Sequence, residues 1–148
     1  MNHRISGRKL GRTTDHKGAM LRNLVTALIL HDKLTTSVAK AKELRRLADR
    51  MITLGKKGGL SSIRQAAQTV RSKEALGKLF KELAPLFTAR NGGYTRIIRH
   101  KNRKGDGAPM AIIEWVETPT VKPAEKKTTG KKAAEKKAAE KKAAENKV

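Results

Sequence analysis

Nearly all of the branched apolar and aromatic side chains of this 148-residue chain fall between residues 17 and 117, and within that stretch their spacing changes once, from a helical period to a strand period. Up to about residue 87 the apolar positions recur every three to four residues; beyond Tyr94 they fall in two short β-branched runs. Met20, Leu21, Leu24, Val25, Leu28 and Ile29 form one stripe, with Lys17, Arg22 and Asn23 off it. This predicts a helix from about Lys17 to His31, capped by Asp15 or Thr14. Lys33–Ser37 is short and β-branched, as a strand would be. Ser37 then caps a second helix with the stripe Ala41, Leu44, Leu47, Ala48, Met51 and Ile52, which Gly55 is expected to stop before a Gly58-Gly59 connection. Ser62 and Gln65 match a capping box for a short third helix ending near Val70. A fourth follows Ser72, with Leu76, Leu79, Phe80, Leu83 and Phe87 inward and Pro85 bending or ending it. Tyr94–Arg99 and Met110–Val116 read as two strands joined by a polar hairpin loop over 101–107. The expected fold class is α+β: a two-layer domain of about four helices packed on a small three-stranded sheet.

Two segments flank that domain. Residues 1–16 form a basic arm, and its first twelve residues contain Arg4, Arg8, Lys9 and Arg12 with no acid. Ile5 and Leu10 are too far apart to form a stripe, so the arm is expected to order itself against a polyanion. Residues 118–148 are of low complexity and include three copies of Lys-Lys-Ala-Ala-Glu. A five-residue repeat advances about 140° per copy on a 3.6-residue helix, so its alanines spiral and form no face to bury. The expectation is a disordered, solvated tail that follows a polyanion nonspecifically. With ten lysines against four glutamates, the tail holds only a minor part of the formal net charge of +22.

Charge on that scale opposes a compact state unless a partner neutralises it, and nucleic acid is the commonest such partner. The longest apolar run, Leu24–Leu30, is far short of the ~18 residues of a spanning helix, and it starts too late for a secretory signal. The absence of cysteine excludes disulfides, thiolate zinc sites and a cysteine nucleophile. His3, His16, His31 and His100 lie in no metal-ligand spacing, and neither a Gly-x-Ser-x-Gly motif nor a carboxylate pair occurs. Gly55–Gly59 lacks the Gly-Lys-Ser/Thr ending of a phosphate loop. The expectations are therefore no enzyme, no metal, no cofactor and no small-molecule substrate.

Binding chemistry is better represented. Arg4, Arg8, Lys9, Arg12, Lys17 and Arg22 form a ladder leading into the first helix. Arg90, Arg96, Arg99, Lys101, Arg103 and Lys104 cluster across the strand-and-loop region, and Lys40, Lys42, Arg45, Arg46 and Arg50 lie along the second helix. Only four aromatic residues occur, and both phenylalanines sit on a core stripe, which argues against a stacking platform for single strands. Recognition through phosphates, sugars and shape remains. Two other classes also fit the composition: a nucleoid-type DNA-compacting protein, and a scaffold on a membrane surface or on acidic proteins.

Several ordered segments also resemble one family. His3-Arg4, Gly7–Arg12, His16, Ala19–Leu24, Thr35-Thr36, Ala39–Leu44, Arg90–Ile97 and Gly105–Glu114 closely match the bacterial large-subunit ribosomal protein numbered seventeen. The resemblance spans residues 1–117; the tail extends beyond the family's usual end. It implies a two-layer α+β domain with an N-terminal arm, placed in the cytoplasmic ribosome. It also implies binding to large-subunit ribosomal RNA near the exit-tunnel side, with ribosomal proteins as neighbours and no membrane. On that reading the RNA-binding residues are Arg4, Arg8, Lys9, Arg12, His16, Lys17 and Arg22, with Arg90, Arg96, Arg99 and Arg103 as a second footprint.

Overall fold

Helix α1 (Thr14–His31) buries Val25, Leu28 and Ile29 completely, and its first turn contains Asp15, whose charge suits the positive end of the helix. The computed structural model describes residues 7–118. The expected start at Lys17 is therefore three residues late: Thr13 is the cap residue, and its carbonyl accepts the Lys17 N–H at 2.9 Å. The other end of α1 is satisfied by tertiary partners. Asp32 turns the chain with φ of 63°, and both its N–H and the buried indole Nε1–H of Trp115 donate to the Leu28 carbonyl. Lys78 Nζ donates to the Leu30 carbonyl and to Asp32 Oδ2, each at 2.9 Å.

Strand β1 (Lys33–Ser37) follows at once, and α2 (Val38–Lys57) packs against all three strands. Gly55 does not stop α2. It is buried inside the helix, where a Cβ would lie 2.9 Å from the Ala84 Cβ, so glycine is there because another helix passes close by. The stop is Gly58, with φ of 68° and its N–H on the Leu54 carbonyl. Helix α3 (Leu60–Thr69) then begins from Gly59, whose carbonyl accepts the Ile63 N–H. The capping box expected at Ser62 is therefore incorrect; Ser62 is buried in the body of α3, because the two-glycine turn lets the chain re-enter a helix three residues earlier. Ser72 does cap α4 (Lys73–Lys78), its Oγ accepting the Ala75 N–H.

Helix α4 continues through a π-helical turn (Leu79–Leu83) into a last short piece, α5 (Ala84–Leu86). In the wide turn Ala84 N–H reaches back five residues to the Leu79 carbonyl, immediately before Pro85, which has no N–H to offer a regular turn. The helix ends at Leu86, one residue beyond Pro85. Strands β2 (Thr95–Arg99) and β3 (Met110–Trp115) complete an antiparallel sheet of order β1-β3-β2, with β3 central. Its register aligns Leu34, Ile113 and Ile97 across the three strands, which fixes the inward face. Ala111, Ile113 and Trp115 of that face are buried under the helices. Phe87 lies edge-on to Tyr94 (5.3 Å between centroids) and tilted against Trp115 (6.3 Å), so the end of the helical segment is held to the sheet. The four-helix, three-stranded α+β layout read from the sequence is the one observed among the described residues.

Candidate nucleic-acid interface

The part of the arm that is described, from Gly7 onward, turns back against the helices. Gly7 has φ of 92°, and a Cβ placed on it would lie 2.8 Å from Glu43 Oε2, 3.3 Å from Lys17 Nζ and 3.7 Å from Arg46 Nη1. The backbone thus passes between a side chain of α1 and two of α2, an approach that only glycine allows. Leu10, a non-glycine residue with φ of 56°, makes the next bend, and the Arg12 N–H closes it on the Lys9 carbonyl. Arg12 is half-buried: its Nη1 donates to the Leu10 carbonyl at 3.1 Å, and its Nε is buried with no partner among the described residues. Arg12 therefore helps to shape this bend. Arg8 and Lys9 project into solvent.

The ladder of cations read along the sequence divides in three dimensions. Lys17 lies beside Gly7 and Glu43, on the α2 side of α1. Arg22 is five residues on, about 140° round a helix of 3.6 residues per turn. It borders a separate hollow on the far side, shared with Thr69, Arg71 and Ser72. His16 is exposed at the start of α1, and Arg4 lies outside the described residues. The arm meets instead a group that lies far along the sequence: Arg46 of α2 is brought to Gly7, next to Lys17.

The strand-and-loop cluster differs electrostatically. Arg90 pairs with Glu117 at 3.2 Å, and Arg96 directs both Nε and Nη2 onto one oxygen of Glu114, at 2.9 and 2.6 Å. Arg103 grips both oxygens of Asp106, at 2.9 and 2.5 Å, which holds that carboxyl down to about 2. The main cause is the guanidinium hydrogen bonds, followed by the Ala108 N–H. Arg99 is exposed in the same region, and among the described residues it has no acidic partner, like Arg8, Lys9, His16, Lys17 and Arg22. The second footprint thus carries its own ion pairs, whereas Arg8, Lys9, His16, Lys17 and Arg22 form none with an acid among the described residues, although Glu43 lies near Lys17. Sequence reading could not find the first two pairings, because Glu114 and Glu117 reach their arginines across 18 and 27 residues, whereas Arg103 and Asp106 are only three residues apart. Arg71 was also missed, as a lone cation in a connection gives no pattern to follow.

Among the described residues no group of three or more His, Asp and Glu is placed to hold a metal ion, and no helix is long and apolar enough to cross a membrane. The surface offers cations, backbone amides and shallow hollows, which suit a polyanion.

Comparison with known proteins gives one family. The family model described as Ribosomal protein L17 matches residues 20–116. The chain is 54% identical over 127 residues to a protein of Syntrophotalea carbinolica, covering 84% of this chain and 82% of that one. It is 52% identical over 126 residues to one from Geobacter sulfurreducens (85% and 72% covered) and 56% over 117 residues to one from Pelobacter propionicus (79% and 92%). All three relatives carry the name large ribosomal subunit protein bL17.

Proposed function

This chain belongs to the ribosomal protein L17 family, whose members are structural ribosomal proteins and not enzymes, and on that basis we propose how it is anchored in the large ribosomal subunit. It is a structural constituent of that subunit, in the cytoplasmic ribosome, with ribosomal RNA and ribosomal proteins as partners. The finer reading is that the basic arm, residues 1–16, penetrates folded large-subunit ribosomal RNA near the exit-tunnel side. The domain of residues 17–117 then sits on the subunit surface, and the tail of residues 118–148 adds nonspecific cationic contact. Arg4, Arg8, Lys9, Arg12, His16, Lys17 and Arg22 make the principal phosphate and groove contacts. Arg90, Arg96, Arg99 and Arg103 form the second footprint, where contacts are weaker because three of the four guanidinium groups already hold a carboxylate. The observation that carries this reading is the exposure of Arg8 and Lys9 directly after Gly7, which lies against Lys17 and Arg46, with Arg12 fixing the bend that presents them.

Arg8 and Lys9 give the sharper test, since neither side chain takes part in the bend, to which Lys9 contributes only its backbone carbonyl. If each meets a phosphate, replacing both with Ala removes about two released counterions. The slope of log K against log salt for large-subunit ribosomal RNA then falls by roughly 1.4–1.8. Filter binding across a salt series measures this, and an unchanged slope would refute the contacts. A sucrose gradient of lysate with and without ribonuclease tests the broader reading: the protein should sediment with large subunits and be released by the nuclease. Equal affinity for ribosomal RNA and arbitrary duplex DNA would favour a DNA-compacting role instead.

A further inference from the structure

The hollow between α1 and the α3–α4 connection is open on one side and holds about 380 Å³, within the ~300–1,000 Å³ typical of small-ligand pockets. Its floor is mostly apolar, with Ala27 and Leu30 of α1 and the flanking Thr26 and Thr69. Arg22 approaches it from α1 and Arg71 from the connection, and both are exposed. No acid lines it. Asn23 adds a side-chain amide, which can donate and accept at once.

A phosphate alone would need the cations but not an apolar floor, and an apolar peptide would need the floor but not two arginines. One nucleotide needs both. We infer that this hollow holds a single unstacked nucleotide of the bound RNA, with its base on the Ala27–Leu30 floor and its flanking phosphates against Arg22 and Arg71. Guanidinium planes stack on unstacked bases, and the Asn23 amide matches the mixed donors and acceptors of a base edge. The inference rests on the RNA-binding reading above but adds a different kind of contact, one that reads a base. It also separates Arg22 from the arm, in keeping with its place on the far side of α1.

The test uses the full-length protein and transcribed large-subunit ribosomal RNA. Ala27→Phe fills the floor and leaves every cation in place. It should weaken binding about tenfold, while circular dichroism verifies the fold. Probing of the RNA by 2′-hydroxyl acylation should show one nucleotide whose reactivity changes on binding wild-type protein. That signature should be lost with Ala27→Phe while the rest of the footprint persists. Asn23→Ala, at an exposed position that cannot disturb the core, should lose the same signature. Arg71→Ala should lower the salt slope by about 0.7–0.9. Wild-type affinity and an intact footprint in both Ala27→Phe and Asn23→Ala would overturn the nucleotide, even if Arg71→Ala lowered the slope. Failure of the broader reading would show in the wild type itself, as binding with no preference for ribosomal RNA and no footprint, and would overturn both.

Discussion

At the scale of single residues, Gly55 shows how packing decides what a local signal means. As a helix-breaking residue near the end of a stripe, it reads as a stop; in the fold it lies against Ala84, and Gly58 makes the stop. Gly55→Ala gains up to ~1 kcal/mol of helix propensity but forces two methyl groups to 2.9 Å, so the net effect should be a loss of about 1–2 kcal/mol, measured by urea unfolding. Asp49 illustrates charge at the same scale. Burial raises its carboxyl above the ordinary 3.8, outweighing the nearby Arg45 and the hydrogen bonds from Thr95 and the Tyr94 backbone. A carboxyl raised by folding stabilises most below its unfolded value, and that contribution disappears as pH rises through its folded value. At neutral pH the ionised group therefore opposes folding. Asn keeps an acceptor for Thr95 without the charge, so Asp49→Asn should melt at or above the wild-type temperature at pH 7, with the difference shrinking towards pH 3. A lower melting temperature at pH 7 would contradict this account.

At the scale of elements, what could be read in the sequence was whatever depends on neighbours within a turn or two. The α1 stripe, the Ser72 cap, the Pro85 ending and the two late strands are all decided by local periodicity, capping or a missing N–H. The early start of α1, the false capping box at Ser62 and the π turn escape that reading, because periodicity does not say which residue opens a helix, how two glycines share a corner, or that the turn before Pro85 widens. The candidate interface divides the same way. The cations themselves are plain in the sequence, but their neutralisation by Glu114 and Glu117 and the meeting of Gly7 with Arg46 are long-range events. The arm follows as a testable element. Among its described residues only Leu10 and Arg12 are even half-buried, so deleting residues 1–12 should leave the circular-dichroism spectrum of the domain intact and lower its melting temperature only modestly. Incorporation into large subunits should fall sharply in competition with wild type. Equal incorporation would remove the arm as anchor.

At the scale of the whole molecule, the fold is closed before the low-complexity tail begins. Val116 N–H bonds the Tyr94 carbonyl at 3.0 Å and Glu117 pairs with Arg90, while the buried core residues lie between Val25 and Trp115. Deleting residues 119–148 should therefore shift the melting temperature by less than the ~4 °C that 1 kcal/mol produces in a domain of this size, as scanning calorimetry would show. The order of the strands has a consequence in time. The middle strand, β3, is the last one synthesised, and β1 and β2 touch only through it. A chain that has grown to residue 109 has every helix found among the described residues but no sheet, with β1 waiting more than seventy residues for its partner. At the ~5–20 residues per second of synthesis, that is several seconds with two strands unpaired. A product cut short before Met110 stays in that condition for good, open to proteases along both strands. Translation as far as Trp115 is thus verified by the chain itself, since only a molecule that has reached that residue can close its sheet.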